Sequence, residues 1–197
     1  MNQNILICGV GGQGVVLTSK LLARAAMAKG SFARTAETIG MAQRGGAVVS
    51  HVRIGPSHSP LIPKGAADLI LALEPAEAVR CISYLKPGGA VVASTKAVQP
   101  VTAALAGGSF SAEEMLAYIA GKAQLYAVDT EKICREAGSD RSANMALLGA
   151  AAASGALGFG LDEVEASLNE LGGRFLNVNL SALRLGAAAI TKGATEP

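Results

Sequence analysis

Residues 4 to 22 constrain the fold more than any other stretch. The apolar run Asn4-Ile5-Leu6-Ile7-Cys8 leads into Gly9-Val10-Gly11-Gly12-Gln13-Gly14, and then into Val15-Val16-Leu17-Thr18-Ser19-Lys20-Leu21-Leu22. That order reads as a buried strand, a tight glycine turn and an amphipathic helix. A helix starting there aims its free N–H groups and the positive end of its dipole at the turn, so an anion would be stabilised without a cationic side chain. Gly9, Gly11 and Gly14 satisfy G-x-G-x-x-G in the strand-to-helix context that gives this spacing meaning. The same residues also suit a turn that binds nothing. Gln13 is unusual inside it, and its amide can contact a ligand or tie the loop together.

The rest of the chain extends this start by alternation. Segments 31–37, 47–54, 66–73, 90–94 and 125–129 have strand character, and helical patterns follow Glu74-Pro75, Ser111 and Thr130. Ser31–Glu37 is the expected partner of the first strand in a βαβ unit, Lys86-Pro87-Gly88-Gly89 a turn, and Thr130 a helix cap. Residues 98–108 read as irregular or weakly helical. From Asn144 onward the pattern is helical: a nearly uncharged stretch to Leu161, an amphipathic helix over Leu161–Leu171, and a final helix through Asn177–Gly186. The predicted fold is α/β, a doubly wound, mostly parallel sheet with a C-terminal helical segment, in one domain over residues 1–197.

Composition bears on what such a fold can do. Charged residues are 16% and hydrophobic residues 50% of the chain, and mean hydropathy is +0.37. So little charge suits a protein that hides part of its surface in a partner. A net charge of +2 without a basic stripe argues against nucleic-acid binding. The uncharged 144–161 stretch approaches membrane-spanning length, but its Ala and Gly content and Asn144 favour a packed helix. Cys8, Cys81 and Cys134 are far apart and form no C-x-x-C pair, so no iron–sulfur or zinc framework is visible; Cys8 and Cys81 read as buried thiols. Reduced cysteines and the lack of a signal-peptide pattern at the N-terminus fit a cytoplasmic protein.

Candidate functional residues fall in two glycine-rich loops. The first is Gly9–Gly14. The second, Gly40-Met41-Ala42-Gln43-Arg44-Gly45-Gly46, carries an amide, Gln43, and a cation suited to phosphate or carboxylate, Arg44. Glu37, with Arg34 beside it, stands where a dinucleotide site places its ribose-binding acid, and both also suit an ordinary strand end. Asp68, Glu74 and the Ser94-Thr95 pair flank strands, Glu74 and Ser94-Thr95 at carboxyl ends. His51 reads as structural and His58 as exposed. No nucleophile–base set, carboxylate pair or metal cluster can be assembled, so no catalytic or metal-binding residue is assigned. The chemistry then has to come from a cofactor or another chain.

The motifs Gly9–Gly14, Gly40–Gly46 and Asn144-Met145-Ala146-Leu147-Leu148-Gly149 occur together and in order. With Pro63-Lys64 before the 67–73 strand and Asn179 through Gly186, they carry a likeness over nearly the whole chain. The chain resembles the gamma subunit, or gamma domain, of 2-oxoacid:ferredoxin oxidoreductases, including the beta subunit of indolepyruvate oxidoreductase. The resemblance implies a complex that oxidatively decarboxylates a 2-oxoacid to an acyl-CoA and reduces ferredoxin. It implies that thiamine diphosphate, magnesium and iron–sulfur clusters reside on alpha- and beta-type partner subunits, with no cofactor held by this chain alone. Gly9, Gly11, Gly12, Gln13, Gly14, Gln43, Arg44 and Gly45 are then candidates for binding an anionic moiety such as a coenzyme A phosphate, or for contacting the partners. A stand-alone NAD(P)-dependent dehydrogenase using Gly9–Gly14 and Glu37, and a nucleotide-sensing domain, are the competing readings.

Overall fold

A computed structural model describes residues 1–39, 46–98 and 110–193. The chain runs β1 (Gln3–Val10), α1 (Val15–Ala28), β2 (Ala33–Ile39), β3 (Ala47–Ile54), β4 (Ala67–Ala72) and α2 (Pro75–Cys81). A 3-10 turn leads to β5 (Leu85–Ser94), α3 (Ala112–Ala120), β6 (Gln124–Val128) and α4 (Thr130–Ala137). Three further helices close it: α5 (Ala143–Ala153), α6 (Leu161–Leu171) and α7 (Leu176–Gly193).

The strands form one sheet in the order β2-β3-β1-β4-β5-β6. β1, β4, β5 and β6 are mutually parallel. Alternation along β1 sends Ile5 and Ile7 into a core with α1, α5, α6 and α7, and Leu6 and Cys8 into a second core under α2 and α3. Helices therefore cover both faces, as a doubly wound sheet requires. The βαβ start holds in direction, β2 running parallel to β1, but β2 is not the neighbour of β1: β3 lies between them, antiparallel to both. The chain returns down β3 after β2, so α1 crosses to a strand one place further out.

Two local readings also change. Lys86–Gly89 is not a turn between elements but a bulge inside β5: pairing with β4 passes from Ala67↔Leu85 to Leu69↔Ala90, and Gly88 takes a left-handed φ of 74°. The cap of α4 is Asp129, whose carboxylate accepts from Lys132 N at 2.9 Å. Thr130 is the first helical residue, and its hydroxyl meets Ser94 Oγ at 2.7 Å. Ser111 caps α3, its hydroxyl accepting from Glu114 N at 3.2 Å.

α5 is buried on every side and packs between the sheet and α7. Met145, Leu147 and Leu148 are fully inside. No described helix is long and apolar enough to cross a membrane. All three cysteines are buried thiols. The hydrogen bond with Cys81 and complete burial push the Cys8 thiol well above its ordinary value.

His51 is structural, as its sequence context predicts, and His58 is exposed. Nδ1 of His51 accepts from Ile62 N at 3.1 Å, and the ring meets Tyr84 edge-on at 5.8 Å. Burial holds its pKa below the ordinary 6.5. The folded chain thus takes up this proton less readily than the unfolded chain. Stability from His51 is complete above pH 6.5 and is lost as pH falls from there through the lower folded value. The melting temperature should fall on acidification from pH 7 to 5.5, with a smaller fall in His51→Gln.

Candidate functional site

The carboxyl ends of β1 and β4 adjoin, and the chain leaves them toward opposite faces, through α1 and α2. This is the switch point at which open α/β sheets place ligands. The glycine loop stands there, and Gln13 bridges the crevice. Its Oε1 accepts from Val10 N at 2.8 Å, and its Nε2 donates to Leu73 O at 3.2 Å. Gly9 lacks a Cβ because that amide takes its place: a Cβ there would lie 2.6 Å from Gln13 Oε1. Gly12 and Gly14 have left-handed φ of 98° and 86°. Gly11 N donates to Gly46 O at 2.9 Å, joining the first loop to the last residue of the second. Gln43, Arg44 and Gly45 lie outside the described residues.

The loop has an open cleft on each side. On the β3 side, Val10, Gly11, Gly12, Val15, Val16 and Val48 border a space of about 440 Å³. On the α5 side, Gly12, Gly14, Arg141, Asn144 and Phe175 are among the residues around a space of about 180 Å³. Gly14 is the N-cap of α1 and offers no side chain, so the first-turn N–H groups have no intrahelical or capping partner from it. Asn144, more than 120 residues away, packs against Gly14, where a Cβ would lie 2.5 Å from its Nδ2.

Other polar candidates have structural partners. Glu74 is 1% exposed and caps α2, with Oε2 accepting from Glu77 N at 2.9 Å and Oε1 from Val98 N at 3.3 Å. Asp68 accepts from Asn4 N at 2.6 Å and pairs with Lys86. Glu77 sits in the first turn of α2; burial raises its carboxyl above the ordinary 4.5, partly offset by Arg80. Glu37 and Arg34 are three residues apart on β2, so they point to opposite faces of the sheet. Glu37 meets Ser19 Oγ at 3.5 Å, and Arg34 Nε donates to Ser57 O at 2.9 Å. With β3 between β2 and β1, Glu37 does not occupy the strand that a dinucleotide site needs beside the glycine loop.

Among the described residues, no group of three or more His, Cys, Asp or Glu side chains is placed to hold a metal. The three cysteines of the chain are too few for the four thiolates of a typical iron–sulfur cluster, so these residues do not fit one.

Residues 4–189 match the family model described as pyruvate ferredoxin/flavodoxin oxidoreductase. The indolepyruvate oxidoreductase subunit IorB of Archaeoglobus fulgidus is 38% identical over 189 residues, covering 94% of each chain. The gamma subunit of a keto/oxoacid ferredoxin oxidoreductase from Geobacter sulfurreducens has the same fold, with a TM-score of 0.70, 23% identity, and coverage of 96% of this chain and 99% of that one. The 2-oxoglutarate:ferredoxin oxidoreductase of Magnetococcus marinus, solved with 2-oxoglutarate, coenzyme A and succinyl-CoA bound, matches with a TM-score of 0.69 and 23% identity. The match takes in 97% of this chain and 31% of that much longer one. The chain belongs to the pyruvate ferredoxin/flavodoxin oxidoreductase family, as a small subunit of a 2-oxoacid:ferredoxin oxidoreductase complex.

Proposed function

We propose that this subunit completes a cytoplasmic complex that converts an aryl pyruvate such as indolepyruvate, with CoA and oxidised ferredoxin, to the acyl-CoA, carbon dioxide and reduced ferredoxin. The observation that carries the substrate class is the 38% identity to an indolepyruvate oxidoreductase subunit along almost the full length of both chains. Thiamine diphosphate, magnesium and the iron–sulfur clusters belong on larger alpha- and beta-type partners. Three scattered, buried cysteines support that division.

The role of this chain is to bind and position an anionic part of CoA. Backbone N–H groups at Gly12 and Gly14 and the start of α1 suit a phosphate, while the Gly11 N–H is held by Gly46 O and ties the two loops together. Gln43, Arg44 and Gly45 of the second loop, which joins the first through Gly46, supply an amide and a guanidinium. Gly9 and Gln13 set the shape of the first loop from behind.

Two measurements test this. A tagged chain recovered from its host should bring down a thiamine- and iron–sulfur-containing partner, with 2-oxoacid- and CoA-dependent dye reduction. Recovery of the chain alone, with NAD(P) bound, would sink the subunit reading. In the assembled complex, Arg44→Ala should raise the KM for CoA about tenfold or more, as expected for a lost charged hydrogen bond, with a smaller effect on kcat. An unchanged rate at limiting CoA removes the CoA role.

A further inference from the structure

β2 is an edge of the sheet, paired with β3 alone. The pairing runs without a bulge from Ala33↔Ile54 to Ile39↔Val48. It continues one step further, where Gly55 N donates to Phe32 O at 2.7 Å. That bond fixes the alternation. Phe32, Arg34 and Ala36 turn their backbone groups toward β3, and Ala33, Thr35 and Glu37 turn theirs outward. Among the described residues nothing pairs with those outward N–H and C=O groups. β2 has no proline, and Thr35 and Glu37 are exposed. The edge thus lacks a proline or a bulge, two common barriers to pairing with another chain.

α1 packs over β2 and β3, and the same outward residues face it. Ala33 packs against the core on the α1 side, and Glu37 reaches Ser19. Thr35 borders, with α1, a space of about 380 Å³. Leu17, Ala23 and Met27 of α1 and Leu171 of α6 give that space an apolar lining. Met27 and Leu171 are 58% and 40% exposed. The charged side chains around it are Lys20 and Arg24, both exposed. They stand one turn apart on α1, which carries no acid, and like charges at that spacing repel. Neither has an ion pair among the described residues, whereas Lys29, just past the helix, pairs with Glu163. The one acid of β2, Glu37, lies two residues past Thr35 and does not border the space.

We propose that an extended segment of the partner subunit adds to β2 as a seventh strand of the sheet, with apolar side chains in this groove and a carboxylate against Lys20 and Arg24. The inference rests on the reading of this chain as a subunit of the complex. Strand addition gives the outward backbone of Ala33, Thr35 and Glu37 the hydrogen bonds it lacks. The period of two then delivers every second side chain of the segment to the α1 side. The charge of the groove selects an acid-bearing segment, because a carboxylate relieves a repulsion that nothing within α1 offsets. A second copy of this chain does not match. Antiparallel pairing of two β2 edges about a two-fold axis sets both α1 helices on one face, and Lys20 and Arg24 of each copy would confront those of the other.

The test compares the full chain alone with the assembled complex, by amide hydrogen exchange and by the affinity of the chain for its partner subunit. The N–H groups of Ala33, Thr35 and Glu37 should exchange rapidly in the free chain and about tenfold or more slower in the complex. Thr35→Pro deletes one outward N–H, leaves the bonds to β3 in place, and should weaken assembly about tenfold or more. Lys20→Glu combined with Arg24→Glu keeps a like-charged pair on α1. The melting temperature should therefore hold while assembly weakens by a similar factor. Lys132→Glu, exposed on α4, is the control and should leave the affinity unchanged. If Thr35→Pro does not fold, the exchange rates and the charge reversal still decide. Edge amides already slow in the free chain, edge amides still fast in the complex, or assembly at wild-type affinity after charge reversal would each overturn the proposal. A complex that assembles with a fast-exchanging β2 edge keeps the subunit reading and removes this docking site. A chain that binds no thiamine- and iron–sulfur-containing partner loses both.

Discussion

Gly149→Ala is expected to lower the melting temperature of the full chain by on the order of 10 °C, corresponding to a loss of about 3 kcal/mol or more. A Cβ at Gly149, on α5, would lie 1.8 Å from Leu183 O on α7. A Cβ at Gly186, on α7, would lie 1.9 Å from Ala146 O on α5. The two glycines thus let two helix backbones touch, and the obstacle in each direction is a carbonyl that no rotamer change can move. Adding one methyl forces the helices apart and opens gaps around Met145, Leu147 and Leu148, which are fully buried. Gly186→Ala should cost a similar amount. Gly121→Ala is the control: its φ is −70°, and the nearest atom to a Cβ there is 3.6 Å away. It should be neutral or stabilise by up to about 1 kcal/mol. Differential scanning calorimetry of the three variants decides the matter, and a tolerated Gly149→Ala would mean that α5 and α7 cross at a greater distance.

The α5–α7 contact also shows where sequence stops informing. Gly149 and Gly186 both stand in motifs on which the sequence resemblance rests, but a helical glycine looks like a weak helix former until its partner is known. Local signals were sufficient for β1, the glycine turn and α1, for β3 over Ala47–Ile54, and for α6 over Leu161–Leu171. They failed where a non-local choice decides. Alternation identified β3 as a strand but is blind to its direction. The length of the link did hold the answer, since only residues 40–46 separate β2 from β3 and a parallel return needs a dozen or more. Thr130 is as good a cap as Asp129 in sequence; what takes its hydroxyl is Ser94, 36 residues earlier. Within the candidate site, the glycine loop was legible as an anion cradle at a helix start. That Asn144 lies against Gly14 was not, because the two share no local pattern and meet only when α5 packs beside α1.

The glycine loop itself should show strong coupling between Gly9 and Gln13. Gly9→Ala places a methyl 2.6 Å from Gln13 Oε1 and 3.0 Å from Leu73 Cβ. The Gln13 amide must then leave, and its bonds to Val10 N and Leu73 O go with it. The expected cost is about 2–3 kcal/mol, near the sum of two lost hydrogen bonds and a steric adjustment. Gln13→Ala alone removes the same two bonds and should cost about 1–3 kcal/mol. Once the amide is gone, the closest clash at position 9 goes with it and the 3.0 Å approach to Leu73 Cβ is what is left, so the double variant should be less destabilised than the sum by about 1 kcal/mol or more in urea denaturation. Strict additivity would mean that the side chain of Gln13 does not fill the space beside Gly9. Gln13→Glu separates scaffold from ligand binding at the same position. It keeps the acceptor for Val10 N but loses the donor to Leu73 O, and sets a negative charge beneath the start of α1. Its stability loss should be no greater than that of Gln13→Ala, while affinity for an anion at the loop should fall further, because the fixed charge opposes the ligand where the helix dipole would attract it.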